Sequence, residues 1–192
     1  MKICITGYRP DKLPKRYGYN IDSAAYKDLS KVIKDVLLIE LMHHQENALE
    51  CISGMALGVD QLYVKTTDEF RKSPSMRGFS VSITAAVPCR GQETKWPVHS
   101  REVYHQILSL CDQVHFVHNG PFTPSCMEER NRWMVDRSDA VIAVWDGKSG
   151  GTANCVKYAK AKGKTIWYIH PSALTIRRET NDKKQTAKTD PV

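Results

Sequence analysis

Three short turns in this sequence join glycine to groups able to hold an anion. They are Thr6-Gly7-Tyr8-Arg9, Ser53-Gly54-Met55-Ala56-Leu57-Gly58-Val59-Asp60 and Asp146-Gly147-Lys148-Ser149-Gly150-Gly151-Thr152. Each follows an apolar run, and the last two lead straight into helical periodicity. A helix start offers unpaired N–H groups and the positive end of the helix dipole, both of which attract phosphate. Glycine lets the backbone approach a phosphate with no side chain in the way. Any one of these turns serves equally well as a tight strand-to-helix connection. Three of them point to a site if the fold brings them to one edge.

A helix over Cys126–Arg137 adds a more specific signal. At about 100° per residue, Met127, Arg130, Asn131 and Met134 share one face, and the two methionines direct that face to the core. Arg130 and Asn131 are therefore aimed inward, where an unpartnered guanidinium is very costly. Arg130 then meets either an internal carboxylate, with Asp139 and Asp60 as candidates, or a ligand phosphate or ribose with Asn131 beside it. The ligand reading is preferred. Asp60 either caps its own helix or accepts a ribose hydroxyl. In the polar loop Cys89–Pro97, Gln92 and Glu93 are candidates to bond a ribose or base. Trp96 and Tyr8 either anchor their loops or stack on a base. His115 and His118 are three apart near a strand and face opposite sides, a poor metal pair. No metal and no cofactor is expected.

These groups need a scaffold, and its elements can be read along the chain. Apolar strand-like runs are Lys2–Thr6, Leu49–Ile52, Phe79–Val87, Gln113–Val117, Ala140–Trp145 and Thr165–Ile169. Between them lie helical patterns: Asp22 to His43, Val59 to Arg71, His99 to Leu110, Cys126 to Arg137 and Gly151 to Lys162. In the first, Ala25, Leu29, Val32, Ile33, Val36, Leu37 and Leu41 repeat near 3.6. Continuous apolar strands joined by crossover helices imply a parallel sheet buried on both faces. Right-handed crossovers then make it a single Rossmann-like, doubly wound α/β domain. In such a sheet all three glycine turns fall on one rim.

Residues 1–172 are expected to form that domain, and residues 173–192 a disordered polar tail. The six cysteines include no CxxC pair and several lie in apolar runs, so they read as buried free thiols of a reducing, cytoplasmic compartment. No signal peptide and no apolar stretch near the ~18 residues of a membrane span is seen. The net charge is +7. From Thr175 onward five basic and three acidic residues supply +2 of it, leaving a modest +5 for the domain. That suits an anionic small molecule and makes nucleic acid an unlikely partner. A homo-oligomer is compatible with everything above.

The run Cys126-Met127-Glu128-Glu129-Arg130-Asn131-Arg132-Trp133-Met134-Val135-Asp136-Arg137-Ser138-Asp139-Ala140, an apolar strand, then Gly150-Gly151-Thr152, resembles the SLOG superfamily. That superfamily groups the lonely-guy phosphoribohydrolases, the DNA-processing proteins and small bacterial and phage proteins. The chain is most similar to the small members in Ile5-Thr6-Gly7-Tyr8-Arg9-Pro10, in Ser53–Asp60, and in Val87-Pro88-Cys89-Arg90-Gly91-Gln92-Glu93 with Trp96-Pro97. The resemblance covers about residues 1–170. It implies a pocket for a nucleotide-derived ligand, sensed or sequestered, with an ADP-ribose-like signal as one such ligand. Glu129 and Arg130 match the first lonely-guy motif, which would make them catalytic in an enzyme that cleaves a nucleoside monophosphate. The second motif departs, because Cys155 stands where those enzymes place a glutamate. Glycosidic cleavage needs a carboxylate to stabilise positive charge or activate water. The resemblance therefore favours binding over hydrolysis, and both over single-stranded DNA binding, which needs a basic, stacking groove.

Overall fold

The computed structural model describes residues 1–45 and 47–180. Six strands run parallel: β1 (Lys2–Gly7), β2 (Ala48–Ser53), β3 (Ser80–Val87), β4 (Gln113–Phe116), β5 (Ala140–Val144) and β6 (Thr165–Ile169). A further strand, β7 (Ile176–Glu179), is antiparallel to β6. The helices between them are α1 (Ala24–His44), α2 (Val59–Arg71), α3 (Val98–Leu108), α4 (Cys126–Arg137) and α5 (Gly151–Ala161). The strand order is β4-β3-β2-β1-β5-β6-β7. The expected Rossmann-like α/β fold is borne out, with the sheet winding outward both ways from β1.

Strand residues alternate between two apolar layers. Ile3, Ile5, Ile142 and Val144 face the layer that holds Leu29, Ile33 and Leu37 of α1, Tyr63 of α2 and Ile107 of α3. Cys4, Val141 and Ala143 face Met134 and Val135 of α4 and Val156 and Ala159 of α5. Two-sided burial explains why β1 and β5 read as unbroken apolar runs. The six cysteines are free thiols. Among the described residues no helix is long and apolar enough to cross a membrane.

The expected boundary at residue 172 is corrected by the structure. The chain turns at His170–Thr175 and returns as β7, pairing Ile169 with Ile176 and Tyr168 with Arg177. β7 has almost no apolar pattern. It is held by its arginines: Arg178 Nε donates to Glu40 Oε1 at 3.0 Å, and the Arg177 guanidinium lies 4.1 Å from the centre of the Tyr168 ring. Glu40 is fully buried in α1 and also accepts from Trp167 Nε1 at 2.6 Å. The rest of the expected tail, residues 181–192, lies outside the described residues.

Candidate functional site

β1 pairs with β2 on one side and β5 on the other, and the order of crossovers reverses there. Open α/β sheets form their crevice at such a point, beyond the carboxyl ends of the strands. Here the crevice is a cleft of about 280 Å³. β1 and its loop supply Thr6, Gly7, Tyr8, Arg9, Asp11 and Lys12. The turn into α2 supplies Ala56 and Asp60, α4 supplies Met127, Arg130 and Asn131, and α5 supplies Gly151 and Thr152.

Two side-chain contacts shape this cleft. The first joins its two central loops. Tyr8 is buried, and its hydroxyl donates to Asp146 Oδ1 at 2.5 Å, while Lys148 Nζ donates to Asp146 Oδ2 at 2.7 Å. The Lys148 and Tyr8 hydrogen bonds hold the Asp146 carboxyl down at about 2. Burial, with Asp146 beside it, pushes the Tyr8 phenol up to about 12, so it remains a donor. An acid whose folded pKa is depressed stabilises the fold above its ordinary range and loses that contribution as pH falls through the folded value. Asp146→Asn should therefore melt several degrees below wild type at about pH 6, and the gap should close towards about pH 2. Thermal melts of both proteins across that range check this, and a gap that does not change with pH overturns it.

The second contact is the Arg130 pair. Arg130 is only 6% exposed, and its Nη1 donates to Asp60 Oδ2 at 2.9 Å. The same Asp60 oxygen accepts from the Ala56 N–H at 3.2 Å. Burial pushes the Asp60 carboxyl up, and Arg130 opposes that shift. So the internal ion pair is formed, with Asp60 and not Asp139, whose carboxylate instead takes the Lys2 N–H at 2.7 Å. The preferred ligand reading of the Arg130 charge is corrected to that extent. Arg130 still lines the cleft, and among the described residues its buried Nε has no hydrogen-bond partner.

The glycines divide by role. A Cβ on Gly54 would lie 1.2 Å from Arg130 Nη1, so this glycine is the floor beneath the guanidinium. A Cβ on Gly7 would meet Val59 Cγ1 at 2.5 Å, and one on Gly58 would meet the Tyr8 carbonyl oxygen at 2.9 Å. These three glycines serve packing. Gly151 differs: among the described residues nothing lies within 4 Å of its would-be Cβ, and α5 begins there with no side-chain cap. The Lys12 ammonium approaches the same turn, 3.5 Å from a would-be Cβ on Gly150.

Other expected site residues are not brought to the cleft. The Cys89–Pro97 loop packs on α3. Gln92 Nε2 donates to the Tyr104 hydroxyl at 3.3 Å, Trp96 meets the Tyr104 ring edge-on at 5.5 Å, and Glu93 faces His105 at 3.8 Å. Trp96 is thus a loop anchor. Met55 is buried with a φ of 58°, its N–H donating to Ser53 Oγ. Gly147 lies at a separate cavity beside Trp145 and Tyr168, and Ser149 is exposed. Glu129 is exposed on the outer side of α4 and accepts from Ser125 Oγ at 2.5 Å, away from the cleft.

Asp11 and Lys12 were not expected at the site. They stand in a segment with no helical or strand periodicity, and no local pattern brings Lys12 to the start of α5. A second cavity of about 390 Å³ adjoins the cleft through Asn131 and runs between α4 and α5, past Asn154, Cys155 and Tyr158. Burial pushes the Cys155 thiol up to about 11, so it is a neutral wall there.

The model of the YspA SLOG family matches residues 3–174. The chain belongs to this family. It is 32% identical over 155 residues to the SPbeta prophage-derived protein YoqJ of Bacillus subtilis, covering 72% of this chain and 88% of YoqJ. A UPF0398 protein of Bacillus cereus is 29% identical over 167 residues, covering 84% of each. Among solved structures, DNA processing protein A of Streptococcus pneumoniae superposes with a TM-score of 0.58 at 20% identity, over 90% of this chain. The chain spans about half of that protein, 51%. DNA processing protein A of Helicobacter pylori, described for its single-stranded DNA binding mode, gives 0.52 at 19% identity, over 88% of this chain and 64% of that one.

Proposed function

We propose that this protein binds a nucleotide-derived small molecule, such as an ADP-ribose-like signal, and senses or sequesters it. The phosphate sits at the start of α5. The observation that carries this reading is the uncapped α5 N-terminus at Gly150-Gly151, open to a cleft that Arg9 and Lys12 also line. Three unpaired N–H groups, a positive dipole end and two flexible cations suit a phosphate monoester or diester. The adjoining cavity along Asn131 and Asn154 leaves room beyond the phosphate. Hydrolysis is not part of this reading. Cys155 replaces the expected glutamate, Glu129 is turned away, and Asp60 is tied to Arg130.

Titration calorimetry with ribose 5-phosphate, AMP and ADP-ribose tests the proposal. Gly151→Val should fold like wild type, because the position is open and its backbone is not left-handed. It should bind at least about tenfold more weakly, a loss of about 1.4 kcal/mol, because the valine side chain occupies the phosphate position. Wild-type affinity in a folded Gly151→Val protein overturns the site. Base release from a nucleoside monophosphate, lost on Glu129→Gln, would replace binding by catalysis.

A second reading rests on the fold shared with the H. pylori protein, which binds single-stranded DNA. The modest net charge argued against nucleic acid, yet a strand responds to local charge, and the same phosphate position would hold a backbone phosphate. Binding of a short single-stranded oligonucleotide that weakens steeply with salt, and is lost in Gly151→Val, would favour this reading.

A further inference from the structure

We infer that a separate cavity, across the Tyr8–Pro10 loop from the cleft, holds the heterocyclic base of the ligand; this rests on reading the cleft as the phosphate site. The cavity measures about 430 Å³, within the range of small-molecule sites. Tyr8 and Arg9 line the cleft, while Pro10, Leu57 and Gly58 line this cavity. The loop rests directly on the turn into α2, since a Cβ on Gly58 would lie 3.0 Å from Pro10 Cδ. The two spaces are therefore neighbours divided by the thickness of one loop.

Their chemistry differs. The cleft is lined by three cationic side chains, whereas among the described residues no lysine or arginine lines this cavity. Its one carboxylate, Asp22, is paired with Lys65. What remains is a set of amides, from Asn20, Gln61 and Gln106, with the rings of Tyr19 and His99. A carboxamide sets a donor beside an acceptor, the pattern that reads a base edge. Gln61 is 2% exposed, yet among the described residues its Nε2 has no hydrogen-bond partner. A buried donor without an acceptor is costly, and a base carbonyl or ring nitrogen supplies the missing one. Tyr19, 66% exposed at the cavity, offers a face for stacking that no core contact uses. A planar, uncharged, hydrogen-bonding group fits this set.

The experiment compares ligands that carry one half or both: ribose 5-phosphate, the four common nucleosides, and their 5′-monophosphates. Gln61→Leu removes the orphaned donor at nearly constant volume, so the ligand-free protein should melt at or above the wild-type temperature. Its affinity for the preferred nucleoside and nucleotide should fall at least about tenfold, the weight of one such contact, with ribose 5-phosphate binding unchanged. Tyr19→Ala, at an exposed site, should act the same way on base-bearing ligands. Nucleotide affinity unchanged in both variants, nucleosides that fail to bind wild type, or an equal loss for ribose 5-phosphate overturns the inference. Nucleoside binding lost in Gln61→Leu, in a protein that ignores ribose 5-phosphate, upholds the base site and sinks the phosphate reading.

Discussion

Arg130→Ala should destabilise the ligand-free protein by about 3–5 kcal/mol, because it leaves the Asp60 carboxylate buried without its partner. For a domain of this size that is a fall in melting temperature on the order of 10 °C. Both side chains are more than nine-tenths buried, so solvent does little to screen the loss. The double variant Asp60→Ala/Arg130→Ala should regain a large part of it, since no charge is then left stranded. Arg130→Lys should not rescue the fold, because lysine cannot place a planar donor above Gly54. Melts of the four proteins without ligand decide the matter. An Arg130→Ala protein that melts like wild type would show that water reaches the pair and that the ligand reading of Arg130 should return.

Gly54→Ala should be nearly as damaging, and for the same reason. The added Cβ falls 1.2 Å from Arg130 Nη1, and its three nearest neighbours are all atoms of the Arg130 side chain. The Gly54 backbone is not in the left-handed region, so alanine itself suffers no strain there. The cost arises from swinging the guanidinium off Asp60, about 3 kcal/mol if the pair is lost. Placed in an Arg130→Ala background, the same substitution should add less than about 1 kcal/mol, a strongly non-additive pair. Full additivity would mean that Gly54 acts through the β2–α2 turn and not through Arg130.

Both expected outcomes bear on function. The pair ties α4 to the turn into α2, and α4 carries Asn131 into both the cleft and the cavity beside it. Arg130 thus sets the shape of the cleft from inside the protein, while Arg9, Lys12 and the α5 N-terminus line its open side. The Tyr8–Asp146 bond does the same for the loops after β1 and β5.

Much of this was legible in the chain. β1 and β5 announce themselves because both faces of a central parallel strand are buried, which demands unbroken apolar residues. Gly150-Gly151-Thr152 marks a helix start because paired glycines after an apolar strand break it and helical periodicity follows at once. The phase of α4 correctly sent Arg130 inward, since helical geometry is local and the methionines share its face. β7 was missed because Ile176-Arg177-Arg178-Glu179 has no strand pattern of its own, and its hold on the sheet depends on Glu40, 138 positions away from Arg178. The Cys89–Pro97 loop looked like a ligand loop because Gln92, Glu93 and Trp96 are polar or amphipathic. Only the packing of α3 shows that Tyr104 and His105 occupy them.

Local order in the residues thus determined the six parallel strands, the helices, the inward turn of Arg130 and the glycine start of α5. What it left open were choices between partners: Asp60 or Asp139 for Arg130, ligand or Val59 for the space above Gly7, base or Tyr104 for Trp96. Each is decided by which groups, far apart in the chain, arrive within a few ångströms of one another. That distance is set by how the whole sheet is wound, and no periodicity in the neighbourhood of either partner carries it.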